Sequence, residues 1–269
     1  MATHREIVEH QKQHHPLVPT EGFATLEAYC LYLVHLKAYE EATARAAGKV
    51  VLDCGCNVGY GVAHMSATAK TARGVDVSAR AIAEAKERYP AHTFDVVDGE
   101  SLPFEADSFD LVTSFQVIEH LGDPDQYLGE IRRVLRADGI AMFTTPNRQI
   151  RVPDGMKPWY QFHVQEFTSD ELEAVLRPHF ESVSVLGMQG GGMVYQTELR
   201  RSLRARRRHK LWRGRRPSFR ALLPPRLRSL GRGQSAQLPS AMLEALSTRE
   251  LEYRPERPET SIDLMAICS

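Results

Sequence analysis

The spacing of apolar residues changes period in an ordered way along the chain. Between Gly22 and Gly48, Leu26, Tyr29, Cys30, Leu33 and Leu36 recur at three- and four-residue steps, which predicts an amphipathic helix closed by Gly48. The short apolar run Lys49–Asp53 that follows predicts a buried strand. Further strands are predicted at Ala72–Val77, Thr93–Asp98, Asp110–Phe115, Gly139–Thr145, Ser182–Gly187 and Ser261–Ile267. Helical patterns lie between them: Gly61–Ala69, then ARAIAEAKERY with Ser78 as its cap. In GDPDQYLGEIRRVL, Asp123 is read as N-cap, Pro124 as the first helical residue and Gln126 as the capping-box partner. TSDELEAVL opens with a capping box between Thr168 and Glu171.

Strands separated by helices require crossover connections, so the expected fold is α/β with a mainly parallel sheet. Ser182–Gly187 and Ser261–Ile267 show no strand between them and are expected to pair as a long-range hairpin. Their connection of about 70 residues far exceeds a hairpin loop and is read as an insertion, of the kind that serves as lid or arm. The Pro224–Pro225 pair breaks any single helix within it. The expected organisation is a helical arm at 1–48, a core at 49–199, a basic insertion at 200–250 and a closing strand at 251–269.

Composition excludes several classes. With 269 residues, 42% hydrophobic and 25% charged, the chain fits one large or two small globular domains and not a disordered, collagenous or coiled-coil protein. No apolar run approaches the ~18 residues that cross a bilayer, and the N-terminus has no signal-like core, so a cytoplasmic location is expected. The 4 cysteines are too few for a disulfide scaffold at this length; Cys54 and Cys56 are read as reduced and semi-buried. A net charge of +0 hides an asymmetry: thirteen arginines and Lys210 lie between Arg200 and Arg232, with no acid before Glu244. An acidic body therefore carries one basic segment.

The chemistry concentrates at strand ends. VLDCGCNVGYG (Val51–Gly61) joins a strand to a helix through a Gly-rich turn, where an open parallel sheet binds ligands. Its glycines, Gly55-x-x-x-Gly59-x-Gly61, do not follow G-x-G-x-x-G, and Asp53 stands at the strand end. A carboxylate there repels a pyrophosphate and accepts an ammonium group, so an amino-acid-bearing nucleoside fits better than NAD. Asp76 ends the second strand, the usual place for an acid that accepts from ribose hydroxyls, and Asp98 ends the third, where an exocyclic amine can donate.

These segments together resemble class I S-adenosylmethionine-dependent methyltransferases of the broad ubiquinone-biosynthesis and sugar-methylating type. VLDCGCNVGYG is similar to the first motif, GVDVS (Gly74–Ser78) to the second and VVDGESLPFEADSFDLV (Val96–Val112) to the third. VIEHL (Val117–Leu121), GIAMFTTPN (Gly139–Asn147) and HVQEFTSDEL (His163–Leu172) resemble the later elements, so the resemblance runs from about Lys49 to Leu186. Asn57 stands where the family usually has Gly; Asn enters the left-handed region more readily than other side chains. The resemblance implies a Rossmann-like, seven-stranded, mainly parallel sheet with helices on both faces and an antiparallel last strand. It implies S-adenosyl-L-methionine as cofactor, with Gly55, Gly59 and Asp53 at its methionine part, Asp76 at the ribose, Asp98 at the adenine and Gln116 near the transferable methyl.

Displacement at a sulfonium methyl needs no metal, and no compact ligand set is visible in the sequence, so none is expected. An oxygen acceptor must lose its proton, and histidine titrates nearest neutrality. His163 and His120 are the candidate bases, with Glu119 as a loop anchor and Asp154 and Tyr160 as acceptor contacts. The leading expectation is O-methylation of a small molecule or sugar, with a small-molecule or glycan acceptor and a homodimer as partners. RNA methylation through the Arg-rich segment, contact with a membrane surface, and non-catalytic cofactor sensing rank behind it. His10 and His14 share a helical spacing, but no carboxylate or cysteine completes a metal site beside them.

Overall fold

Residues 17–18, 22–211, 239, 243–256 and 258–269 are described by a computed structural model. The His10–His14 pair, the Pro224–Pro225 break and the basic residues from Arg213 to Arg232 lie outside them.

Period-two patterning along the strands divides the core into two layers. Val51, Leu111, Met142 and Met265 face one side of the sheet, and their neighbours Leu52, Val112, Phe143 and Leu264 face the other. In chain order the elements are α1 (Leu26–Ala46), β1 (Val50–Cys54), α2 (Tyr60–Met65), β2 (Thr71–Asp76), α3 (Ala79–Arg88), β3 (Thr93–Val96) and β4 (Phe109–Phe115). A 3-10 turn (Ile118–His120) follows, then α4 (Asp125–Val134), β5 (Leu135–Pro146), α5 (Arg148–Arg151), α6 (Ser169–Leu176), β6 (Val183–Gly190), α7 (Met193–Leu211), β7 (Leu251–Arg254) and β8 (Asp263–Cys268). Cys30, Leu33 and Val34 of α1 and Val194 of α7 cover the first layer. Leu128 and Ile131 of α4, with Leu172 and Leu176 of α6, cover the second.

The sheet order is β3-β2-β1-β4-β5-β8-β6-β7. Strands β3 to β5 pair in parallel, β8 runs antiparallel between β5 and β6, and Ser184↔Ile267 and Leu186↔Met265 give the register of the long-range hairpin. This is the expected α/β architecture with one strand more. β7 pairs antiparallel with β6 from Gly187↔Arg254 to Gly190↔Leu251, so a strand does separate the two halves of the hairpin. Its four residues are too short to give a periodic signal.

Side chains close several helix N-termini, Ser78 and Thr168 as expected and Thr25 in addition. Thr25 accepts from Ala28 N at 3.1 Å, and Ser78 accepts from Ala81 N. Thr168 and Glu171 exchange both bonds of a capping box. The reading of α4 is corrected: its N-cap is Pro124, without a side-chain bond. Asp123, one residue before the cap, accepts from Asp125 N, and Gln126 reaches away to the Glu100 carbonyl.

Candidate active site

The turn after β1 is built from backbone geometry that few residues tolerate. Gly55 has φ +85°, and a Cβ there would drive into the Val117 side chain, so its bare backbone forms the wall. Asn57 takes φ +46°, the left-handed region expected of it, and its Oδ1 accepts from Val18 N and Val58 N. Gly55 N and Cys56 N both donate to the Val75 carbonyl, at 2.8 and 3.0 Å, which ties the turn to the end of β2. Asp76 completes the tie: Oδ2 accepts from Asn57 N and Oδ1 from Ser78 N, at 2.9 and 2.8 Å. Burial raises the Asp76 pKa against the pull of these N–H groups.

These groups open onto a cavity of about 440 Å³, within the usual range for small-molecule sites. Gly55, Asp76, Gln116, His120 and His163 all lie on its wall. Three expected cofactor residues are placed differently. Asp53 is not on the wall; it is fully buried beneath the turn, accepting from Tyr39 Oη at 3.1 Å and Thr113 Oγ1 at 2.8 Å. Burial pushes its carboxyl up to about 7, against those two hydroxyls. Gly59 is also off the wall: it caps α2 at φ +81°, where a Cβ would stand 2.7 Å from the Phe94 ring. Asp98 turns its Oδ1 to the backbone N–H of Glu100 and Ser101, and its neighbours Val97 and Gly99 line the cavity instead. Asp154 is likewise off the wall, whereas Tyr160 is on it.

Gln116 sits at φ +58°, a strained value for a side chain of its size, in the sequence just past β4. Its Nε2 donates to Asp263 Oδ1 at 2.9 Å and Thr144 Oγ1 at 3.2 Å. Asp263 also accepts from Tyr253 Oη, and burial raises its carboxyl to about 7 despite both donors.

The far end is a histidine cluster. His163 Nδ1–H donates to Glu166 Oε1 at 2.7 Å, and Glu166 also receives Arg151 Nε at 3.1 Å. Burial lowers the His163 pKa and outweighs the upward pull of Glu166. Burial would raise Glu166, but His163 and Arg151 together hold it below the ordinary carboxylate range. The Arg151 guanidinium stacks 4.7 Å from the Trp159 ring. His120 lies edge-on to His163 at 4.9 Å and donates Nδ1–H to the Phe162 carbonyl. Glu119 is fully buried between them; burial raises its carboxyl to about 8. Its backbone carbonyl accepts from Val164 N and Gln165 N, so it does anchor the loop.

Two features escaped the sequence reading. Glu119, His120 and His163 form a compact set of ligating atoms within 4.8 Å of one another, contrary to the expectation of none. His35 of α1 also lines the cavity, where burial lowers it to about 4. Nothing in the apolar period of the α1 sequence singles it out. Arg151 and Asp263 gave no sequence signal; Glu166 stood inside a quoted motif without an assigned part.

Sheet order, the Gly55 turn and the acid at the end of β2 define the class, and comparison agrees. Residues 52–143 match the methyltransferase domain family, and this part of the chain is similar to class I S-adenosylmethionine-dependent methyltransferases, which use S-adenosylmethionine as cofactor. Among its relatives is a probable S-adenosylmethionine-dependent methyltransferase of Mycobacterium tuberculosis, 35% identical over 158 residues, 58% of each chain. A similarly described protein of Mycolicibacterium smegmatis is 35% identical over 169 residues, 62% of this chain and 65% of its own. The chain thus spans less than two thirds of the length of these relatives. A possible histamine N-methyltransferase of Thermotoga maritima shares the fold at TM-score 0.55 and 15% identity, over 89% of this chain and 90% of its own. No described helix is long and apolar enough to cross a membrane.

Proposed function

We propose that the protein is an S-adenosylmethionine-dependent O-methyltransferase acting on the hydroxyl of a small molecule or sugar, with His163 as general base. One observation carries this reading: the Gly55–Asp76 end and the His120–His163 end open into a single cavity. When bound, the cofactor supplies an electrophilic methyl on a sulfonium. Gly55 offers bare backbone to it, and Asp76 presents carboxylate oxygens that keep spare lone pairs beyond their two N–H bonds. Gln116, held by Asp263, forms part of the same wall.

His163 is prepared for proton transfer by its surroundings. Glu166 fixes the Nδ1–H tautomer, so Nε2 carries the lone pair. Burial keeps the ring neutral near pH 7, and Arg151 keeps Glu166 ionised behind it. Tyr32, Trp159 and Tyr160 give the cavity aromatic walls suited to a ring-shaped acceptor and to the exclusion of water. His120, locked to Phe162, supports the loop and is the second candidate.

Methyl transfer from labelled cofactor to a panel of glycans, phenols, quinone precursors and RNA tests the reading. The expected acceptor carries a hydroxyl. His163→Ala should lower turnover about 10²–10⁴-fold, the range of a lost general base, with cofactor affinity nearly unchanged. Retained turnover in His163→Ala, with loss in His120→Ala, would move the base to His120. Methylation of RNA alone would overturn the small-molecule reading.

A further inference from the structure

The cluster at the end of the cavity has one atom in an unusual state. Glu119 Oε2 accepts from Thr145 Oγ1 at 3.1 Å, but Oε1 is buried with no hydrogen-bond partner among the described residues. Buried carboxylate oxygens are nearly always satisfied, and one left bare marks a place for a positively charged or donating group. Facing it is His163 Nε2, 4.0 Å away, too far for a hydrogen bond. With Nδ1–H committed to Glu166, that nitrogen carries a lone pair and cannot donate while the ring is neutral.

Both histidines have the support that metal-binding imidazoles require. A ligating histidine commonly gives its other ring N–H to a carboxylate or backbone carbonyl, which fixes tautomer and orientation. His163 gives Nδ1–H to Glu166, and His120 gives Nδ1–H to the Phe162 carbonyl at 2.8 Å. Glu119, Glu166 and Asp263 face the cluster with Arg151, while Arg201 pairs with Glu198 on α7.

We propose that Glu119, His120 and His163 form a binding site for one divalent transition-metal ion, held by two imidazole nitrogens and a carboxylate oxygen. Two imidazole nitrogens favour Zn²⁺ or Co²⁺ over Mg²⁺ and Ca²⁺, which prefer all-oxygen sets. Three protein ligands leave a position open toward the cavity, as catalytic metal sites do. The proposal rests on the preceding reading only in placing an acceptor hydroxyl at this end. There the ion would act as a Lewis acid that acidifies the hydroxyl, and in the metal-loaded protein His163 would be a ligand, its role as base belonging to the metal-free protein.

The test needs neither cofactor nor acceptor, so it stands apart from the methyl-transfer assay. Chelator-treated full-length chain is titrated with Co²⁺ and with Zn²⁺ in a calorimeter, and the visible absorption of bound Co²⁺ is recorded. The expected result is one equivalent bound, with affinity lowered at least tenfold in Glu119→Gln, in His120→Ala and in His163→Ala. Circular dichroism of each variant reports folding; any one folded variant suffices. Mg²⁺ in large excess should not displace Co²⁺. Absence of stoichiometric binding, or equal affinity in a folded variant, overturns the proposal.

Discussion

Asp53 shows how burial redirects a strand-end acid. Its carboxyl lies under Tyr39 and beside Thr113, and burial raises it from 3.8 to about 7. A carboxyl raised in the folded state contributes stability that is fully present below its unfolded value and fades as pH rises through the folded one. Between pH about 4 and about 7, Asp53 therefore binds more proton folded than unfolded and becomes progressively less favourable. Asp53→Asn keeps an acceptor for a hydroxyl and cannot ionise. Its stability relative to the parent should increase from pH 5 to pH 8, read as the difference between urea midpoints at each pH. A difference independent of pH would show that Asp53 does not titrate in this window. Asp76, by contrast, reaches the cavity because its strand ends beside the Gly55 turn and its oxygens serve the backbone there.

At the scale of elements, the capping box of α6 carries the clearest expectation. Thr168 and Glu171 satisfy two N–H groups at the entry of a helix only 8 residues long. Thr168→Ala should cost about 1 kcal/mol, visible as a lower denaturation midpoint with unchanged slope. Midpoints equal within error would mean that the packing of Leu172 and Leu176 sets the helix alone.

Local signals of this kind were legible: the Thr168 box, the Ser78 cap, the left-handed Asn57 and the parallel strands all depend on a few neighbouring residues. The antiparallel pairing of the last long strand was legible as well, because two apolar runs needed one partner each. What escaped depends on contacts between distant segments. Asp53 looked available because its cover, Tyr39, comes from a helix read only for its apolar period. Glu119, His120 and His163 converge because Val164 N and Gln165 N donate to the Glu119 carbonyl, a pairing with no mark in either segment alone. His35 enters the cavity through the placement of α1 over the sheet, and a four-residue strand such as β7 lacks the length for a periodic pattern.

At the scale of the molecule, α7 links the cavity wall to its surroundings. Glu198 and Arg201 line the cavity, while Arg206 donates to the Gln149 carbonyl and His209 to the Lys157 carbonyl. One helix thus clasps the 148–157 segment that also supplies Arg151.

The slot occupied by β8 has a consequence for biosynthesis. β6 joins the sheet through β8, and β7 joins it through β6. Both are made before β8, so a growing chain holds a two-stranded ribbon with no docking edge until the Asp263–Cys268 segment emerges from the ribosome. An isolated ribbon of this size is marginal in water, and its open edge invites pairing with another chain. Chains truncated after residue 262 should therefore be cut by protease within Val183–Gly190 and Leu251–Arg254 while the β1–β5 part resists, and they should aggregate more readily than the full chain. Adding a peptide of the Asp263–Ser269 sequence in trans should restore part of the protection. Equal protease resistance in truncated and full chains would mean that the ribbon docks by some other route.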